Sequence, residues 1–202
     1  MGLDNFPKGF RPSSTQQYAI PNIVNAFKDN KFVVIQGPTG CGKSFIAKTI
    51  ANGIKKLPSR LSKLVDNYKA FETTWENNRR TYEYADDFNN SKRFGTSILT
   101  TTKALQDQYV RDFEDIKPLK GKGSYICNID DRSTADNAPC AFSSKLKREC
   151  WDCNRCDYYE ARNKSIAAKI SIENYSSFFY KPDHLKNRKL IVCDEASELE
   201  NI

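Results

Sequence analysis

Eight consecutive residues, Gly37-Pro38-Thr39-Gly40-Cys41-Gly42-Lys43-Ser44, fit the phosphate-loop pattern G-x-x-x-x-G-K-[ST]. The residue types dictate the chemistry. Glycines let the backbone turn tightly, so the amides of Gly37, Thr39, Gly40, Cys41, Gly42, Lys43, Ser44 and Phe45 can wrap an anion at a helix N-terminus. Lys43 would reach the β/γ-phosphates and the Ser44 hydroxyl would ligate Mg²⁺. ATP or GTP is the implied ligand. A second candidate is Asp194-Glu195, directly after the apolar run Leu190-Ile191-Val192-Cys193. A carboxylate there can hold a metal's water shell, and its neighbour can deprotonate an attacking water. An acidic pair can also merely cap a helix. Downstream of a complete phosphate loop, the catalytic assignment of Lys43, Asp194 and Glu195 is the stronger one.

Cys127, Cys140, Cys150, Cys153 and Cys156 fall within 30 residues and end in two successive C-x-x-C steps. Thiolates at such spacing hold tetrahedral zinc or an iron–sulfur cluster, and four of the five suffice. Spacing does not choose between the two. Cys41, inside the loop, and Cys193, inside an apolar strand, read as small buried fillers. His184, the single histidine, lies in Lys181-Pro182-Asp183-His184 and reads as part of a surface turn.

These residues need a scaffold. Ala19, Ile20, Ile23, Val24 and Phe27 recur at helical spacing, with Pro21 as a start or kink. Phe32 to Gln36 reads as the strand before the loop, and Phe45, Ile46, Ile50 and Ile54 as a helix after it. Leu57, Leu61, Leu64, Val65, Tyr68, Phe71 and Trp75 predict an amphipathic helix within the charged stretch Lys55 to Phe94. Ser97 to Leu99 reads as a strand, Lys103 to Phe113 as a helix, Tyr158 to Ile172 as helical, and Leu190 to Cys193 as the last strand. Gly121 to Asp157 has no period and requires something to staple it. Alternating strands and helices predict an α/β fold, a parallel sheet with helices on both faces.

The chain has 202 residues and carries 32 Lys and Arg against 25 Asp and Glu, a formal charge of +7 that favours a polyanionic partner. No apolar stretch approaches membrane-spanning length and the N-terminus lacks a basic-then-apolar signal, so a soluble, non-secreted protein is expected, cytoplasmic or in the DNA compartment.

The order of phosphate loop, Thr100 to Gln108 (Thr-Thr-Thr-Lys-Ala-Leu-Gln-Asp-Gln), cysteine run and Asp-Glu-Ala-x resembles the N-terminal motor half of XPD/DinG-type superfamily 2 DNA helicases. Lys120 to Cys127, Cys156 to Ala161 and Ile172 to Tyr175 are similar to the basic-Gly-x-x-Tyr-x-Cys, Cys-x-Tyr-Tyr and Asn-Tyr segments of that family. The resemblance implies a P-loop RecA-like domain in 1–116, a small cysteine-rich insertion in 117–160, and a return to the RecA-like domain in 161–202. It implies that Gln16 reads adenine (with Gln17 as the alternative, because the spacing from Arg11 is long). Thr100 to Lys103 would follow a DNA backbone, and the cysteines would hold a [4Fe–4S] cluster rather than zinc. Within the cysteine set, Cys127, Cys140 and Cys156 are the firmer ligands, with Cys150 and Cys153 competing for the fourth place. Lys145, Lys147, Arg148, Trp151 and Arg155 would line a path for single-stranded or forked DNA.

The resemblance has departures. Ser197 stands where the family commonly has His, and Lys55 to Phe94 is longer than the family's spacing. A second RecA-like half is not among these residues, so poor hydrolysis and no unwinding are expected of this portion alone. Two other classes fit parts of the pattern: a nucleic-acid-binding module with structural zinc, and a P-loop kinase or AAA-type ATPase with a zinc lid.

Overall fold

A computed structural model describes residues 2–54, 94–146, 156–181, 186 and 188–201. The amphipathic helix expected between Lys55 and Phe94 lies outside the described residues, except that Phe94 opens a strand. Helix α1 (Ser14–Asp29) contains Pro21 in its interior and buries Ile20 and Ile23. Helix α2 (Lys43–Asn52) follows the phosphate loop and buries Ile46 and Ile50. Then come β1 (Phe94–Thr100), α3 (Lys103–Asp112), β2 (Ile116–Leu119), α4 (Pro139–Phe142), α5 (Asp157–Ala167), β3 (Ile170–Asn174), α6 (Tyr175–Phe179) and β4 (Arg188–Cys193).

The four strands form one parallel sheet in the order β2-β3-β1-β4. Ile98 is level with Ile172 on one side and Val192 on the other. Alternation along β1 sends successive side chains to opposite faces. Ile98 joins Ile116, Ile170 and Ile172 in a cluster with Ala51 of α2, Tyr109 of α3 and Phe113. Leu99 packs instead with Tyr175 and Phe178 of α6. Helices therefore cover both faces, the arrangement that a parallel sheet requires.

The face that carries Leu99 also holds a buried polar network. Arg188 donates from Nε to Ser97 Oγ at 3.2 Å and from Nη2 to Ser171 Oγ at 3.0 Å. It also donates to the carbonyls of Ser165 and Ala168 beyond the sheet. Glu173, fully buried, pairs with Lys181 at 2.5 Å. Burial lowers the Lys181 pKa and Glu173 opposes that shift.

Three elements differ from the sequence reading. Residues 32–36 carry no strand pairing among the described residues. Val33 packs on the Ile20, Ile23, Ile46 and Ile50 cluster, whereas Phe32 and Val34 are 88% and 94% exposed. An apolar run identifies a segment that can pair, but the ladder needs a neighbour. The helical pattern drawn to Ile172 stops at Ala167, and Ile170–Asn174 is a strand in the middle of the sheet. Strand β2 has no counterpart in the sequence reading, and it contains Pro118, which cannot donate to a ladder. The proline is tolerated here because β2 is an edge strand. No helix among the described residues is long and apolar enough to cross a membrane.

Removing one partner of a buried pair strands a charge, at a cost of about 3–5 kcal/mol. Glu173→Ala should therefore lower stability on that scale in urea unfolding. Asp112→Ala, which breaks a pair with the largely exposed Arg111, should change it by less than about 1 kcal/mol.

Candidate nucleotide site and cysteine cavity

The phosphate loop holds Gly40 and Gly42 at φ 82 and 79. That left-handed region is open to glycine and strained for other residues. Gly42 caps α2, whose first residue is Lys43, so the unpaired amides of the first helical turn open onto the loop. Lys43 Nζ donates to the carbonyls of Gly37 at 3.0 Å and Pro38 at 3.2 Å. The ammonium thus lies across the loop, on the backbone that would surround a phosphate. A Cβ on Gly37 would come within 2.9 Å of Cys41 Sγ, so a larger residue there would require the thiol to move.

Gln16 is tied to this loop. Its Oε1 accepts from Ser13 N at 2.9 Å, completing a capping box at the start of α1, and its Nε2 donates to Gly42 O at 3.2 Å. Both ends of the amide that the resemblance assigns to adenine are thus engaged, one in capping α1 and the other in joining α1 to the loop. Gln17 is exposed and donates to Pro12 O. Phe45 turns its ring away from the loop into Phe6, Phe10 and Phe113, while its amide donates to Gly42 O.

The acidic pair follows β4. Asp194 N donates to Leu99 O at 2.9 Å, continuing the parallel ladder one residue past the strand. Asp194 Oδ2 accepts from Tyr109 OH at 2.8 Å, and Asp194 O accepts from Tyr175 OH at 2.9 Å. Burial first, and then the charge of Asp194, pushes the Tyr109 phenol far above its ordinary range, so it stays a fixed donor. Glu195 has φ 54 and its Oε2 accepts from Thr101 Oγ1 at 2.6 Å. Tyr109, Tyr175 and Thr101 therefore belong to the site. The sequence pattern puts Tyr109 within the helix expected from Lys103 to Phe113 and Tyr175 in a family segment, and pairs neither with Asp194. A tyrosine on an apolar helix face is the signal that could have found the first, since a buried phenol needs a partner.

The Thr-rich segment divides its hydroxyls. Thr100 is buried, Thr101 holds Glu195, and Thr102 caps α3 by accepting from Leu105 N at 3.2 Å. Thr100 is accordingly closed to any backbone of a bound polymer. Lys103 is exposed at the first position of α3.

Between β2 and β3 the chain leaves the sheet. An antiparallel bridge between Ile126 and Thr134 positions Cys127, Pro139 starts the short helix that carries Cys140, and Cys156 caps α5. The three cysteines line one cavity of about 250 Å³ together with Phe142, Tyr158 and Tyr159. Burial pushes the Cys156 thiol up, and the nearby Cys140 and Cys127 add to that, while the amides of Tyr159 and Tyr158 oppose it. Cys150, Cys153, Lys147, Arg148, Trp151, Arg155 and His184 lie outside the described residues. Among the described residues, no three His, Cys, Asp or Glu side chains are grouped so as to hold a metal ion. Cys193, read as a buried filler, is exposed, at the end of the strand that is outermost among the described residues.

Residues 15–122, just over half of the chain, match the model of the family described as novel STAND NTPase 3. The chain belongs to that family. The matched span of this STAND NTPase covers α1, the phosphate loop, β1, α3 and β2, and ends before the cysteines and the acidic pair. The match supports a nucleotide-binding P-loop NTPase and does not single out a helicase. No curated protein and no solved structure gives a significant match.

A Cβ at Gly42 would sit 2.1 Å from Gln16 Nε2, whereas one at Gly40 would meet open space. Both substitutions carry the left-handed penalty of about 1–2 kcal/mol. Gly42→Ala should cost more than Gly40→Ala in thermal unfolding, and should abolish binding of a fluorescent ATP analogue.

Proposed function

We propose that this NTPase is the first motor domain of an ATP-dependent DNA helicase of the XPD/DinG type, with 5′-to-3′ polarity taken from that resemblance. The observation that carries this reading beyond nucleotide binding is the convergence of Cys127, Cys140 and Cys156 on one cavity. They come from three separate segments of an insertion that leaves the sheet after β2 and returns at α5. Cys150 and Cys153 fall in sequence between Cys140 and Cys156, so either can supply a fourth thiolate. The cavity lining suits zinc or an iron–sulfur cluster alike, and the choice of the cluster is taken from the helicase resemblance. These four residues would hold a [4Fe–4S] cluster, whose bonds would staple a segment with little regular structure.

At the nucleotide, Ser44 and Asp194 would hold Mg²⁺, which would supply charge neutralisation on the phosphate oxygens. Lys43 would exchange the Gly37 and Pro38 carbonyls for the β/γ-phosphates. Glu195 would take a proton from water as its oxygen bonds to the γ-phosphorus and the bond to the ADP oxygen breaks. Tyr109 holds the Asp194 carboxylate through that step. A second RecA-like domain would complete the site across a cleft, and single-stranded or forked DNA would contact the exposed Lys103.

A second reading, an AAA-type ATPase that does not act on DNA, is compatible with the family match. Composition separates the two. Anaerobically purified protein should be brown and contain about four iron and four acid-labile sulfide per chain, and its ATP turnover should rise with single-stranded DNA. Zinc without sulfide, or no metal, would overturn the helicase assignment and leave the NTPase. Lys43→Ala should reduce ATP turnover by about 10²–10³-fold, the scale of losing one preorganised electrostatic contact. Unchanged turnover would remove the loop as the site.

A further inference from the structure

We infer that Thr101 is a positioning residue that latches Glu195, coupling hydrolysis to whatever phosphate backbone engages the Thr101–Lys103 segment; this rests on the proposed roles of Glu195 and of DNA. The hydrogen bond from Thr101 Oγ1 to Glu195 Oε2 is 2.6 Å, short for a hydroxyl donor and charge-assisted. It is set by the sheet. Leu99 is level with Cys193, so Thr101 and Glu195 fall opposite each other two residues beyond the paired ends.

Glu195 is, among the described residues, the non-glycine with positive φ. A backbone held there by its surroundings is a common feature of sites that switch. The neighbouring hydroxyls are spoken for: Thr100 is buried and Thr102 caps α3. Thr101 is the hydroxyl of the three that reaches the acidic pair. It is followed after one residue by the exposed ammonium of Lys103.

By holding Oε2, Thr101 draws the whole Glu195 carboxylate to the end of β1 and restricts the swing that would carry its other oxygen to a water. A phosphodiester oxygen is an equally good acceptor for the same hydroxyl. A strand laid on Thr101 and Lys103 would therefore take the hydroxyl and release Glu195. Hydrolysis would rise when DNA arrives, without any contact between DNA and nucleotide.

The test is ATP turnover, with KM and kcat resolved, with and without an oligothymidylate, in the Thr101→Val, Thr101→Ser and Glu195→Gln variants. Thr101→Val keeps the shape and removes the donor. It should raise kcat without DNA by about tenfold, the scale of one charge-assisted hydrogen bond, leave KM for ATP unchanged, and bring the stimulation ratio close to one. Thr101→Ser should restore wild-type behaviour, which a packing role of the methyl group would not predict. A Thr101→Val enzyme with wild-type basal rate and stimulation, or one with kcat lowered in both conditions, overturns the latch. Glu195→Gln separates the two levels: lost turnover there with an inert Thr101→Val removes the latch alone. Wild-type turnover in Glu195→Gln removes both the latch and the general base beneath it.

Discussion

The pairing of β1 with β4 is the constraint on which the rest depends. Its ladder runs from Phe94 opposite Arg188 to Leu99 opposite Cys193, and is extended by Asp194 N donating to Leu99 O. That last bond fixes the acidic pair against the end of β1, where the chain turns into Thr101-Thr102-Lys103 and α3. Because parallel strands share a direction, the chemistry at both carboxyl ends collects on one edge of the sheet, the usual place for a ligand in open α/β folds. A register shift by one residue would exchange Ile98 for Leu99 on the apolar face. It would also carry Thr101 away from Glu195.

The two faces of the sheet solve different problems. Towards α2 and α3 the surface is plain packing, with Ile98, Ile116, Ile170 and Ile172 against Tyr109 and Phe113. Tyr109 links that packing to function, since its ring is buried in the cluster and its hydroxyl reaches Asp194. On the opposite face, Ser97, Ser171 and Glu173 would be expensive to bury alone. Arg188 satisfies both serines and also binds the carbonyls at the end of α5, so the network ties the returning helix to the sheet.

The sequence made legible what depends on local residue type. The phosphate loop, α1, α2, α3 and β4 lie where the pattern placed them, within a few residues at the ends. What failed depended on neighbours. Ile170-Ser171-Ile172-Glu173 alternates as a strand does, but follows a helical stretch closely enough to be read as its continuation. Its true state is set by β1 and β2 on either side. Residues 32–36 have the composition of a strand and, among the described residues, no partner. The hydroxyls of Tyr109 and Thr101 were linked to the acidic pair only when α3 and β1 were placed beside it. Neither is adjacent to that pair in sequence.

Gln16 shows how one residue can hold several elements at once. Its backbone and side chain close the capping box with Ser13, which starts α1, and its amide reaches Gly42, which starts α2. Gly42 must be glycine twice over, for its φ and for the space the amide occupies. The phosphate loop is thus braced from behind by α1 and closed in front by Lys43 on the Gly37 and Pro38 carbonyls. These bonds fix the orientation of the loop within the folded chain, so the cost of ordering it is met in folding, and under the proposed nucleotide role it would not be charged to binding.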